Sequence, residues 1–211
     1  SEGPVRLAST HEIITHTLLQ TVKAFRSAYP NTRVQIRSGN RREVLQRVEE
    51  GVVDIGIVPG PEDSAGFDFQ GLFPYERVLL TPSGHPLLQA PVESLEQIAK
   101  WPLILMGQHS STRMLLEGEF RRRGLSFDVV VELDNMDMIK RYVALGLGIS
   151  VGPSLVIEPQ DDKELGIVSL ATILPVEQAG IITLRGKTIP SPTQNFISVM
   201  KHVHTSTRFR A

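Results

Sequence analysis

Small polar residues stand directly after apolar, strand-like segments at four places in the chain: Ser9-Thr10-His11, Ser38-Gly39-Asn40, Ser110-Ser111-Thr112 and Asn135. Without a partnered base, hydroxyl and amide side chains hydrogen-bond and do not break bonds, so the chemistry they suit is recognition. Where a strand feeds a helix, the first N–H groups of that helix lack partners and carry partial positive charge, which favours a carboxylate or another small anion. Each such helix end offers an anion about 0.3 to 1 kcal/mol. Two of them, with side-chain hydrogen bonds, suit the micromolar to millimolar affinity of a sensor. The same residue types also cap helices with no ligand present, and for any one turn alone capping is the simpler reading. Recurrence at four turns favours a site, with Ser9, Thr10, His11, Asn40, Ser110, Ser111, Thr112 and Asn135 as its candidates.

Residues that would signal catalysis do not assemble. His11 and His16 flank a Glu as in a zinc-protease helix, but they stand five apart. Five residues turn a helix by about 500°, leaving the rings roughly 140° apart, so no metal site is expected. Gly146, Gly148 and Gly152 resemble a dinucleotide fingerprint, yet they end a helix and enter a strand, the reverse of what that motif requires. No G-x-S-x-G elbow and no cysteine occur. Asp161-Asp162 and Glu49-Glu50 read as solvated surface, Arg121-Arg122-Arg123 as the exposed end of a helix, and Trp101 and Tyr142 as core. No catalytic residue and no cofactor is expected.

The elements that position the polar turns follow from periodicity. Val5 to Ala8 reads as a strand, and Ile14, Leu18, Val22 and Phe25 as the stripe of an amphipathic helix from Glu12 to Ala28. Val34 and Ile36 alternate with polar residues in a half-exposed strand. Asn40 with Glu43 forms a capping pair for a helix stopped by Gly51, and Val52 to Val58 is a strand covered on both faces. Pro59 to Pro74 reads as irregular. Arg77 to Pro82 is extended, Ser94 and Gln97 cap a short helix, and Leu103 to Met106 is a buried strand. A helix closed by Gly124, a strand from Phe127 to Leu133, a helix opened by Asp134-Asn135 and stopped by Gly146, and a strand from Ile149 to Val151 complete a second αβ lobe. Ile181 to Leu184 is a late strand, and Ser191-Pro192 opens a final helix. This alternation predicts parallel sheets, with every strand-to-helix turn on one edge of its sheet.

Apolar residues make up 41% and charged residues 21% of the 211, enough for a packed core. A net charge of -1 leaves no surplus with which to hold a nucleic acid backbone or an anionic membrane. No apolar run is long enough to span a bilayer and no secretion signal is visible, so a cytoplasmic location and no membrane partner are expected.

Several motifs are similar to one family. Arg26-Ser27-Ala28-Tyr29-Pro30 followed by Val34-x-Ile36 and Gly39, then Glu50-Gly51-x-x-Asp54-Ile55-Gly56-Ile57, resembles the opening of the effector-binding domain of LysR-type transcriptional regulators. Thr81-Pro82-x-x-His85-Pro86-Leu87 and Val143-Ala144-Leu145-Gly146-Leu147-Gly148-Ile149 resemble two later hallmarks, in the same order. The resemblance implies an α/β fold of two Rossmann-like lobes joined by two crossing strands, as in type 2 periplasmic binding proteins. It assigns residues 1–77 and 181–211 to one lobe and 78–180 to the other. It also implies a small effector in the interlobe cleft, a homodimer or higher homo-oligomer, and DNA contact only through a winged helix-turn-helix that these residues do not include. Asp137 to Val143 with Gly146-Leu147-Gly148 looks closest to the regulators of sulfur assimilation and cysteine synthesis. Thr10 matches their threonine-rich turn, whereas Glu12 and Ile13 stand where those regulators carry hydroxyl and amide ligands. A periplasmic or extracellular solute-binding protein of the same fold is the alternative, and an enzyme ranks third.

Overall fold

The computed structural model describes residues 3–60 and 65–208. In chain order the elements are β1 Val5–Ser9, α1 His11–His16, α2 Leu18–Ala28, β2 Val34–Ser38, α3 Arg41–Glu49, β3 Ile55–Pro59, β4 Phe67–Tyr75, β5 Arg77–Pro82, α4 Leu95–Ala99 and β6 Pro102–Met106. They continue with α5 Ser111–Arg122, β7 Asp128–Leu133, α6 Met136–Ala144, β8 Ser150–Pro153, β9 Leu165–Ser169, β10 Glu177–Leu184 and α7 Ser191–Arg208. The chain divides into two compact units, Ser1–Pro74 with Glu177–Ala211, and Tyr75–Val176. The seams fall a few residues before those read from sequence, because all of β10 pairs in the first unit and β5 pairs in the second from its first residue, Arg77.

The first unit is a five-stranded sheet in the order β2-β1-β3-β10-β4. Strands β1, β2 and β3 run parallel, and β10 returns antiparallel on β3. Val5, Leu7, Ile55 and Ile57 are fully buried on one face and Ala8 and Val58 on the other, as strands covered on both faces require. Helix α3 packs so closely that a Cβ on Gly56 would lie 2.6 Å from Val44 Cγ1, so any side chain there must displace Val44. Phe25 of α2 meets Phe196 of α7 edge to face with centroids 5.2 Å apart, fastening these two helices together.

In the second unit β5 is flanked antiparallel by β8 and β9, while β6 and β7 pair in parallel. A parallel bridge between Leu103 and Ile149 links the two groups of strands. Successive strand residues point to opposite faces, so Leu79 and Leu103 join Leu95, Leu116 and Phe120 in one core, while Leu80 and Ile104 join Ile139 and Val143 in another. Helices α4 and α5 cover the first face and α6 the second.

Several expectations change. Thr17, with φ -113°, interrupts the single first helix that the apolar stripe predicted, leaving α1 and α2. Val52 is exposed, and β3 begins only at Ile55. Part of the irregular stretch is β4, and β9 gave no recognised signal. The sheets are mixed and not wholly parallel, with β10 antiparallel to β3 and β5 antiparallel to both β8 and β9. Tyr142 is 38% exposed and Trp101 half-buried, so Tyr142 is not core. No helix among the described residues is long and apolar enough to cross a membrane.

Candidate effector site

Parallel pairing brings the first two polar turns to one edge of their sheet. Ser9 is in register with Ser38, and Gly39 donates its N–H to the Ser9 carbonyl at 3.1 Å. The three residues at the end of β1 then differ in what they offer. Ser9 is fully buried and donates its hydroxyl to the Ile57 carbonyl at 2.6 Å, tying β1 to β3. Thr10 occupies the N-cap position of α1 with extended backbone but makes no side-chain capping bond. His11 turns its ring toward Thr15 Oγ1, 3.4 Å away on the same helix. Asn40 commits its Oδ1 to the Glu43 N–H at 2.9 Å, and Glu43 answers through the Asn40 N–H, a complete capping box. Its Nδ2 group remains for another acceptor.

Sequence reasoning passed over Arg41, the first residue of α3. Its Nε donates to the Pro59 carbonyl at 3.1 Å, which places a half-buried guanidinium at the carboxyl ends of this sheet. The signal available was its position, directly after the Asn40 cap.

The second unit repeats the arrangement. Met106 and Leu133 are in register at the ends of β6 and β7, so the Gly107–Thr112 loop and the Asp134-Asn135 turn share one edge. Ser110 caps α5 by accepting from the Arg113 N–H at 3.3 Å, and Asn135 caps α6 by accepting from Asp137 and Met138. Ser111 is half-buried. Thr112 is buried, its hydroxyl accepting from Arg77 Nε at 3.3 Å. Arg77, also missed from sequence, is wholly buried at the start of β5, with Tyr75 beneath its guanidinium carbon at 5.0 Å and the Pro175 carbonyl at 3.5 Å. It read as the beginning of an extended segment, and nothing in its spacing marked it as buried.

A shallow recess of about 560 Å³ in this unit is lined by Pro82, Ser83, Arg141, Ala144, Leu145 and Glu164. It includes the C-terminal end of α6, whereas Asn135 caps the opposite end. Among the described residues no group of His, Asp and Glu could hold a metal ion.

A profile of the LysR substrate binding domain matches residues 1–204. The chain belongs to that family. It is 34% identical over 169 residues to the HTH-type transcriptional regulator cbl of Escherichia coli (strain K12), covering 78% of this chain and 52% of that protein. With the HTH-type transcriptional regulator SsuR of Burkholderia cenocepacia it shares 30% over 173 residues, covering 81% and 55%. The chain thus spans about half the length of the curated relatives it matches. Among solved structures, the cofactor-binding domain of the Cbl transcriptional regulator superimposes with a TM-score of 0.86 at 29% identity, covering 95% of this chain and 88% of that one. The effector binding domain of QuiR in complex with shikimate reaches 0.84 at 16% identity, covering 98% and 99%, a likeness of fold alone.

The resemblance read from sequence and the two-lobed α/β fold class are therefore borne out, and the chain is an effector-binding domain of the LysR type. The solute-binding alternative gives way, because the matched relatives are transcriptional regulators.

Proposed function

We propose that this domain senses a small carboxylate or other anion for a cytoplasmic regulator whose DNA contacts are made by a helix-turn-helix outside these residues. The turns assigned to recognition are those of Ser9, Thr10, His11 and Asn40 in the first unit and those of Ser110, Ser111, Thr112 and Asn135 in the second. Thr10 and Ser111 supply the hydroxyls, while Ser9 and Thr112 shape the turns from behind. One observation carries the reading: in both units the polar turns and a guanidinium, Arg41 or Arg77, meet at the carboxyl edge of the strands, where anions bind in open α/β sheets.

A thermal-shift screen with sulfate, shikimate, acetate and related small acids tests this. A ligand at a hundred times its Kd adds about 2.7 kcal/mol. For a chain of this size that is roughly 5 to 10 °C in Tm. A hit that Thr10→Ala or Ser111→Ala weakens supports the reading of these turns; a hit indifferent to both overturns it.

The domain acts as a homodimer in this proposal, with α2 and β2 of one protomer meeting α5 and β7 of its partner. Edge strand β2 and the residue before it expose Arg33, Gln35 and Arg37, and edge strand β7 exposes Asp128, Val130 and Glu132, opposite in charge and equal in spacing. Leu19 on α2 and Met114 on α5 are about 60% exposed, apolar surface that such a contact would cover.

A further inference from the structure

The loop that carries Ser110 has little regular structure of its own. Its one internal backbone bond runs from the Ser110 N–H to the Gly107 carbonyl at 3.0 Å, and Gln108 and His109 are exposed. A segment of this kind is expected to open easily. Here it is tied to one buried group. The Arg113 side chain is only 6% exposed and its neighbour Glu117 only 7%.

If Arg113 served only to neutralise Glu117, the Nε bond to Glu117 Oε1 at 2.8 Å would be enough. Its other donors leave the helix. Nη1 donates to the Met106 carbonyl at 2.6 Å, where β6 ends and the loop begins, and to Glu132 Oε1 on β7 at 3.0 Å. With its amide oriented to satisfy both neighbours, Gln108 accepts from Arg113 Nη2 at 3.1 Å and donates to Glu117 Oε2 at 3.1 Å. The Arg113 main chain holds the last point, donating to Ser110 Oγ at 3.3 Å. Residues 106 and 108 are thus fixed around one guanidinium, and residue 110 by the backbone of the same arginine.

We propose that Arg113 is a positioning residue for the effector, holding the Gly107–Ser110 loop in the shape that presents Ser110 and Ser111; this rests on the reading of those turns given above. Only a planar fork satisfies these acceptors together. A lysine ammonium, a point charge on a flexible stem, keeps the charge beside Glu117 but cannot reach the Met106 carbonyl, Gln108 and Glu132 in one plane. A loop held in its bound geometry before the ligand arrives spares the ordering cost at binding, which appears as affinity.

The test uses this chain with Arg113→Lys and, because Arg113 is buried, Gln108→Ala, which removes only the loop's side of the clamp. Amide hydrogen exchange is first read without ligand. Arg113→Lys accelerates exchange at residues 108–111 about tenfold while the amides of 116–120 in α5 stay near wild type, and Gln108→Ala gives a smaller change at the same loop residues. A merely structural role moves α5, β6 and the loop together, and that outcome, or no loop-specific change in either variant, overturns the proposal. Next, sulfate and shikimate are titrated into wild type and Arg113→Lys. Whichever binds the wild type binds the variant about tenfold more weakly, and faster loop exchange with unchanged affinity refutes the positioning role. Ser111→Ala leaves the clamp intact and keeps wild-type exchange at Gln108, so a failure of the site reading shows in that variant's ligand titration and not in its exchange.

Discussion

Thr10→Ala and Ser9→Ala separate binding from folding at adjacent positions. The Thr10 hydroxyl makes no capping bond. Its removal therefore forgoes the cost of about 1 kcal/mol that a lost N-cap usually brings, and Tm should stay within a degree or two of wild type. A bond from that hydroxyl to an anionic effector is worth about 1.5 kcal/mol, so Kd should rise roughly tenfold. Ser9 is the opposite case. Its hydroxyl is buried and 2.6 Å from the Ile57 carbonyl. Deleting it costs about 1 kcal/mol of folding stability, or roughly 2 to 4 °C in Tm, while ligand affinity measured well below Tm holds within about twofold. Titration calorimetry with the acid found by the screen gives the first quantity, and differential scanning calorimetry the second. The reasoning is refuted if Thr10→Ala lowers Tm as far as Ser9→Ala and leaves Kd unchanged, for then the Thr10 hydroxyl is a structural group.

Three further outcomes follow from the same geometry. Gly56→Ala, with its new methyl 2.6 Å from Val44 Cγ1, should lose about 1 to 3 kcal/mol in urea denaturation, and the double variant with Val44→Ala should recover part of it. His204 stacks on Phe73 and has its pKa lowered by burial, with Nε2 buried and unpartnered. The folded state therefore resists protonation, so stability present above about pH 6.5 is lost as pH falls toward the lower folded value, and His204→Gln should flatten that slope in melts between about pH 7 and 5. Reversing charge with Arg33→Glu should weaken the dimer in sedimentation, and Asp128→Arg on the same chain should restore it; no change in either variant removes the assigned interface.

What the sequence made legible was local. The Asn40–Glu43 box, the Ser94–Gln97 pair and the glycine stops at Gly51, Gly124 and Gly146 all stand where their chemistry placed them, each of those glycines at positive φ. These signals depend on neighbours within a few residues. The four polar turns were legible for the same reason, since a strand end and a helix start adjoin in sequence. Strand β9 was not, because its burial pattern lacks clean alternation, whereas β4 carried a signal that went unread, Phe67 and Phe69 alternating with Asp68 and Gln70. Arg41 and Arg77 escaped notice because a guanidinium's role depends on which carbonyls and hydroxyls the fold brings to it, Pro59 for the one and Thr112 for the other. Which hydroxyls are already engaged was likewise hidden, since Ser9 and Thr10 look equivalent in sequence and differ only once β3 lies beside β1.

The first unit is assembled from two stretches of chain separated by the whole of the second, and its late strand β10 lies inside the sheet, between β3 and β4. During synthesis the continuous stretch 75–176 emerges complete and is free to fold while the first unit still lacks β10 and α7. Until residue 177 and those after it leave the ribosome, β3 and β4 have no strand between them, and Phe25 waits for Phe196. Unpaired edges next to the buried faces of Ile57 and Val58 are the surfaces by which nascent chains associate wrongly. The earlier half of the protein is thus the later to finish, and a chain truncated before residue 177 should yield a folded second unit attached to an aggregation-prone first one.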